Sequence, residues 1–138
     1  MSKAKSSELK GITMLLPFYL NEHFPSLYED ALGFRILWAD NREDTEKIVG
    51  SSIIDIALEW QHGPEDYPIR EILKKYNKKD VPILLCLNWH RQPPPNLENL
   101  GYAGYLNVPF RAAGLKQKIY EVLPETTKAL LKAECWLE

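Results

Sequence analysis

The run Val81-Pro-Ile-Leu-Leu-Cys-Leu-Asn-Trp89 carries no charged side chain and no polar/apolar alternation. A strand with one wet face alternates, so a short continuous apolar run reads as a strand buried on both faces, as in a parallel sheet covered by helices. Four further short runs are largely apolar, two of them broken by charges at Arg35, Asp55 and Glu59: Gly11 to Leu16 (GITMLL), Phe34 to Ala39 (FRILWA), Ser52 to Trp60 (SIIDIALEW) and Ala103 to Val108 (AGYLNV).

Helix-like stretches separate them. Asn21 to Leu32 opens on a candidate Asn cap, and Asn41 to Val49 places its acids early, where they suit a helix N-terminus. Tyr67 to Asn77 sets Ile69, Ile72, Leu73 and Tyr76 at the spacing of an amphipathic helix. Arg91 to Leu100 contains Pro93-Pro94-Pro95, so at most one helical turn fits after them, from Asn96 to Leu100. Ala112 to Leu123 gathers Leu115, Ile119, Val122 and Leu123 on one face, and a last helix is expected from Glu125 to Trp136. Alternating strands and helices predict a doubly wound α/β fold: a five-stranded parallel sheet of the flavodoxin type, (βα)5, with an extra C-terminal helix.

Composition agrees with a single packed domain. Of 138 residues, 45% are hydrophobic and 26% charged, too apolar for a disordered chain. The net charge of −2 gives no general electrostatic case for nucleic acid. No apolar run is long enough to span a membrane, and the Lys/Ser-rich residues 1–10, expected to be flexible, lack the apolar segment of a signal peptide. Cys86 and Cys135 make neither a disulfide framework nor a metal-binding spacing. A soluble cytoplasmic domain without cofactor or metal is the expectation.

In a doubly wound sheet, ligand chemistry belongs at the carboxyl ends of the strands. Those ends hold Leu16-Pro17, Glu59-Trp60, Leu87-Asn88 and Val108-Pro109, and no glycine-rich phosphate loop follows any strand. Three separated stretches then resemble the receiver domain of bacterial response regulators, over roughly Gly11 to Leu123. Val81-Pro-Ile-Leu-Leu is similar to the receiver's fourth strand. Gly101-Tyr-Ala-Gly-Tyr-Leu-Asn-Val-Pro-Phe is similar to its G-A-x-x-Y-L-x-K-P-F signature. Ile54-Asp-Ile-Ala-Leu-Glu-Trp-Gln-His-Gly-Pro is similar to the third strand and the M-x-x-P loop beyond it.

The resemblance implies a CheY-like module of two-component, phosphorelay-type signal transduction. Such a module needs an acidic pair that holds Mg²⁺, an Asp that takes the phosphoryl group, a Thr or Ser, and a Lys. Cation and Lys offset the charge that phosphoryl transfer brings together. Carried over by position, the acidic pair falls on Leu16 and Pro17, the acceptor on Trp60, the hydroxyl on Leu87 and the lysine on Val108; the glycine expected beyond Pro64 is Pro68. The expectation is a degenerate pseudo-receiver, its site filled by apolar side chains.

Other residues have plainer readings. Glu59 is the carboxylate next to the acceptor position, but a one-residue slip turns a strand side chain to the opposite face, so it reads as a solvated or capping residue. His62, His90 and Glu59 lack metal-site spacing, and His23 carries no signal. Asp55 and Asp40 read as structural, Asp40 as a cap for the following helix. Trp38, Trp60 and Trp89, with Asn88 and Asn107, offer an alternative: a pocket for a small flat ligand. Lys74, Lys75, Lys78 and Lys79 read as the polar C-terminal end of a surface helix.

The expected function is protein–protein contact, with a protein partner or a second copy, and no catalysis, nucleic acid or membrane. The resemblance points to Leu97 to Tyr105 and Phe110 to Tyr120, with Leu97, Tyr102, Tyr105, Phe110 and Leu115 as interface residues. Tyr105 matches the aromatic that, in the family, swings with site occupancy. Residues 124–138 are expected as a helix that packs on the domain, begins a linker or meets a second copy, with Trp136 and Leu137 exposed.

Overall fold

The computed structural model describes residues 9, 11–18, 20, 24, 26–60 and 69–137. Each of the five apolar runs supplies a strand: β1 (Thr13–Pro17), β2 (Arg35–Ala39), β3 (Ile56–Trp60), β4 (Ile83–Asn88) and β5 (Gly104–Val108). They form one sheet in the order β2-β1-β3-β4-β5, with every neighbouring pair parallel. The helices are α1 (Ser26–Leu32), α2 (Arg42–Ser51), α3 (Ile69–Lys75), α4 (Ala112–Val122) and α5 (Glu125–Ala133). Asn21, Tyr67 and Pro68, where two helices were expected to begin, lie outside the described residues.

Alternate strand residues feed two separate cores, which is why the runs are largely apolar. Met14, Leu16, Ile56, Leu58, Leu84, Cys86, Leu106 and Val108 pack with Leu32, Leu115, Ile119 and Leu131 on one face. Leu15, Ala57, Ile83, Leu85 and Leu87 pack with Val49, Ile69, Ile72 and Leu73 on the other. Burying a Leu or Ile side chain is worth roughly 1.5–3 kcal/mol. Strand β3 starts later than the apolar pattern suggests: Ile53 is 81% exposed, and the Asp55 carboxylate accepts from Thr13 N at 2.8 Å, fastening the start of β1.

Helix ends follow the local chemistry. The cap of α2 is Asn41, whose side chain accepts from Asp44 N at 2.8 Å; Asp40, read as the cap, instead donates its own N–H to the Asp44 carboxylate at 3.0 Å. At the far end, Lys78 Nζ donates to the Val49 carbonyl and, at 2.7 Å, to that of Ser52, a cation on carbonyls that a helix leaves unpaired. Helix α3 closes on Asn77 at φ 62°, with Lys78 N donating to Leu73 O and Asn77 N to Lys74 O.

The β4–β5 connection departs from the other crossovers. Residues 91–94 are irregular, since consecutive prolines supply no N–H to a helical ladder. One turn follows, with Leu100 N donating to Asn96 O at 3.1 Å. It stops at once because Gly101, at φ 99°, reverses the chain, and Tyr102 N donates to Leu97 O, Gly101 N to Glu98 O.

Residues 124–136 pack on the domain, and the expectation of an exposed Trp136 is corrected. Its ring stacks on Phe34 with centroids 5.2 Å apart and an interplanar angle of 9°. Its Nε1 donates to Leu32 O at 2.8 Å, and 5% of the residue is exposed. The apolar stripe of α5 faces inward here through Leu131, while Leu137 stays exposed.

Candidate functional site

The carboxyl edge of the sheet is built from Pro17, Ala39, Trp60, Asn88 and Val108 at the ends of the five strands. At the positions singled out by the sequence, Leu16 is fully buried, Val108 and Leu87 nearly so, Pro17 is buried beside Ala39, and Trp60 is partly buried. They do not form one plug. Leu16, Trp60 and Val108 belong to the core shared with α1, α4 and α5, whereas Leu87 packs on the opposite face with Tyr102 and Tyr105. By alternation Pro17 sits on the Leu87 side, the face of Leu15.

Beside Leu16 and Trp60 the edge is closed by rings, of which Phe24, Tyr28 and Phe18 were not singled out in the sequence while Trp38 and Phe110 were read in other roles. Phe24 contacts Tyr28, Trp38 and Phe110 edge-on, at centroid distances of 5.6, 5.9 and 6.5 Å. Tyr28 stacks on Phe110 at 5.6 Å, and its hydroxyl donates to the Phe110 carbonyl. Phe18 meets Trp38 at 6.5 Å and is half exposed. Phe24 and Tyr28 are four residues apart, but Phe24 precedes α1, so helical spacing does not by itself set the two rings side by side. Their partners lie in other elements, so this convergence could not be read locally.

Among the described residues, the three positions carried over for the ion and the phosphoryl group do not fit magnesium. Mg²⁺ takes near-octahedral oxygen ligands, and Leu16, Pro17 and Trp60 supply no side-chain oxygen. The adjacent carboxylate, Glu59, is turned to the other face and engaged at both oxygens. Oε1 accepts from Arg70 N at 3.3 Å, at the start of α3, and Oε2 accepts from the Tyr102 hydroxyl. Arg70 completes the cluster, its guanidinium 5.2 Å from the Tyr102 ring centre and its Nη1 donating to Leu100 O at 2.8 Å. Burial, followed by the Glu59 hydrogen bond and charge, raises the Tyr102 hydroxyl well above the ordinary tyrosine value. Burial first and the Glu59 charge second push the Cys86 thiol up to about 12. Both groups are therefore neutral around pH 7.

Among the described residues no three His, Cys, Asp or Glu side chains gather closely enough to hold a metal. His62 and His23, with the Pro64 loop, lie outside the described residues. His90 is exposed and makes a T-shaped ring contact at 5.3 Å with Trp89, itself 75% exposed. Trp89 thus does not line a pocket with Trp60. Asn107 is likewise committed: its amide donates to Asn88 O at 3.0 Å and to Arg91 O at 3.1 Å, holding the turn that carries Trp89 and His90.

The interface residues separate into two groups. Leu115 is fully buried and Tyr102 is 7% exposed, so neither offers its side chain to a partner, because α4 and the segment leading into β5 turn them into the two cores. Leu97, Tyr105 and Phe110 are partly exposed, and Lys118 Nζ sits 5.9 Å from the Tyr105 ring centre. No helix among the described residues is long and apolar enough to cross a membrane.

No family model matches the chain, and no curated protein matches it in sequence. Solved structures do match in shape. The N-terminal domain of the nisin resistance regulator NsrR, a lantibiotic response regulator, superposes with a TM-score of 0.65 at 17% identity, covering 82% of this chain and 98% of its own. The receiver domain of the sensor histidine kinase PA1611 from Pseudomonas aeruginosa PAO1, which holds a magnesium ion in its active site cleft, gives 0.63 at 21%, covering 80% and 95%. A CheY-like receiver domain protein from Methanospirillum hungatei JF-1 gives 0.63 at 18%, covering 86% and 98%. The chain has the five-stranded, doubly wound fold of the receiver domains of two-component response regulators.

Proposed function

We propose that this chain is a pseudo-receiver: a receiver-fold signalling module that takes up no phosphoryl group and acts by contact with a protein partner or a second copy. The observation that carries the reading is the chemistry of the edge. Leu16, Pro17 and Trp60 stand where the resemblance to a receiver asks for three carboxylates, and rings of Phe24, Tyr28, Trp38 and Phe110 share one apolar core with Leu16 and Trp60. A cation there would lose its hydration and gain no ligand in exchange. The module is then fixed in one state, without catalysis.

Contact falls to Leu97 and Tyr105 on one side of the sheet and to Phe110 beyond the end of β5, all partly exposed. Tyrosine and phenylalanine give large contact area for little loss of side-chain freedom. The reading is tested by incubating the protein with Mg²⁺ and acetyl phosphate and measuring its intact mass. No adduct is expected; a stable phosphoryl adduct, at Glu59 above all, overturns the alignment and the function built on it.

A further inference from the structure

Two parallel strands of one sheet are ordinarily joined by a crossover helix laid across the sheet face. The β4–β5 connection supplies only the Asn96–Leu100 turn, and beside it an open cleft of about 710 Å³ separates that turn from α3. Its apolar surface comes from the partly exposed Leu100 and the aliphatic stems of the basic side chains, over the buried Leu73 and Ile83. Its rim is basic: Arg70, Lys74, Lys75 and Lys79 line it, against Glu71 as the acidic residue.

These cations are not equivalent. Arg70 is held by Leu100 O and the Tyr102 ring, and Lys75 pairs with Glu46 at 2.7 Å. Lys74 and Lys79 are exposed and make no ion pair among the described residues. On a chain of net charge −2, a local cationic rim over apolar surface is complementary to one kind of occupant.

We infer that this cleft receives an acidic amphipathic helix of a partner protein, in the place that a full crossover helix leaves open. The apolar stripe of that helix lies on the partly exposed Leu100 and the aliphatic stems of the basic side chains, and its carboxylates meet Lys74 and Lys79, a helix-in-groove mode. Nucleic acid fits less well, because the basic stretch is short, Glu71 interrupts it and the cleft offers apolar surface. The inference rests on the reading that the chain works by protein contact, but places this contact between α3 and the Asn96–Leu100 turn rather than at the Tyr105 and Phe110 rings.

The probe is a fluorescein-labelled helical peptide with leucine along one stripe and glutamate on both flanks. A leucine/lysine counterpart and a single-stranded DNA oligonucleotide serve as competitors. Titration is followed by anisotropy, and amide shifts of Leu100 and Gly101 report the place. The Leu/Glu peptide is expected to bind saturably, to shift both amides, and to weaken at least about tenfold in the exposed double variant Lys74→Glu, Lys79→Glu and again at raised salt. Thermal unfolding of that variant confirms that its fold is intact. Absence of saturation, equal affinity for the variant, or preference for DNA overturns the inference. Shifts centred on Tyr105 and Phe110 overturn the cleft while leaving the proposed function standing, since the acetyl phosphate experiment judges that separately.

Discussion

The Tyr102 hydroxyl donates to the Glu59 carboxylate across 43 residues of chain. One end of this bond is the last turn of strand β3 and the other is the residue that leads out of the Gly101 reversal toward β5. The same carboxylate accepts from Arg70 N, and Arg70 reaches on to Leu100 O, so one acidic side chain joins β3, α3 and the β4–β5 connection. Glu59 stands beside the position from which a receiver works. Here its charge is spent on holding loops.

Tyr102→Phe removes the donor and keeps the ring. A hydrogen bond to a charged group contributes about 1.5–3 kcal/mol, and partial exposure of Glu59 favours the lower end. Urea unfolding of the variant is expected to show that loss. The hydroxyl also titrates higher in the folded chain than the ordinary value of 10.0, so its contribution is complete below pH 10 and fades as pH rises beyond it. Wild-type stability should therefore fall more steeply above pH 10 than that of the variant. Parallel curves would show that Tyr102 is not the group responsible.

Trp136→Ala is expected to cost about 3–5 kcal/mol, the range for truncating a large buried ring. The variant loses the stack on Phe34, the bond to Leu32 O and the Lys116 ammonium 4.9 Å from the ring centre. A shift in the urea midpoint with an unchanged slope would place the loss in the packed domain. A change near zero would mean that residues after Pro124 act as a detachable linker.

What the sequence disclosed, and what it withheld, follows from the range of each interaction. The five strands were legible because burial on both faces leaves an uninterrupted apolar run, as from Ile83 to Leu87. The interrupted crossover was legible because proline's missing N–H is a property of single residues. Trp136 was misjudged because its partners, Phe34 and Leu32, lie about a hundred positions away and nothing local marks them. Leu87 was grouped with Trp60 by counting along a motif, but counting does not say to which side of a pleated strand a residue projects. The aromatic closure around Phe24 needed four elements at once.

The two cysteines should separate cleanly in a thiol-labelling experiment. Cys86 is buried with its ionisation pushed up to about 12, so almost no thiolate forms near pH 8, whereas Cys135 is exposed. One thiol is expected to react quickly in the folded protein and the second only as fast as the chain unfolds. Intact-mass counting of labels over time checks this. Rapid double labelling would mean that the β4 core opens far more readily than its packing suggests.

Leu16→Asp asks whether the carboxyl edge can tolerate the charge that a working receiver places there. Leu16 is fully buried in the apolar core it shares with Phe24, Trp38 and Trp60. An ionised carboxylate without partners costs several kcal/mol, so the group takes up a proton instead and its ionisation rises above the ordinary value of about 3.9. With the folded-state value raised, the variant is most stable below pH 4 and loses stability as pH climbs through the neutral range. Wild type has no such group at this position and should lack the difference. At neutral pH the expected loss exceeds about 3 kcal/mol. A variant as stable as wild type at pH 7, with no pH dependence of the difference, would show that water and polar groups reach the edge, and the apolar closure proposed for it would have to be given up.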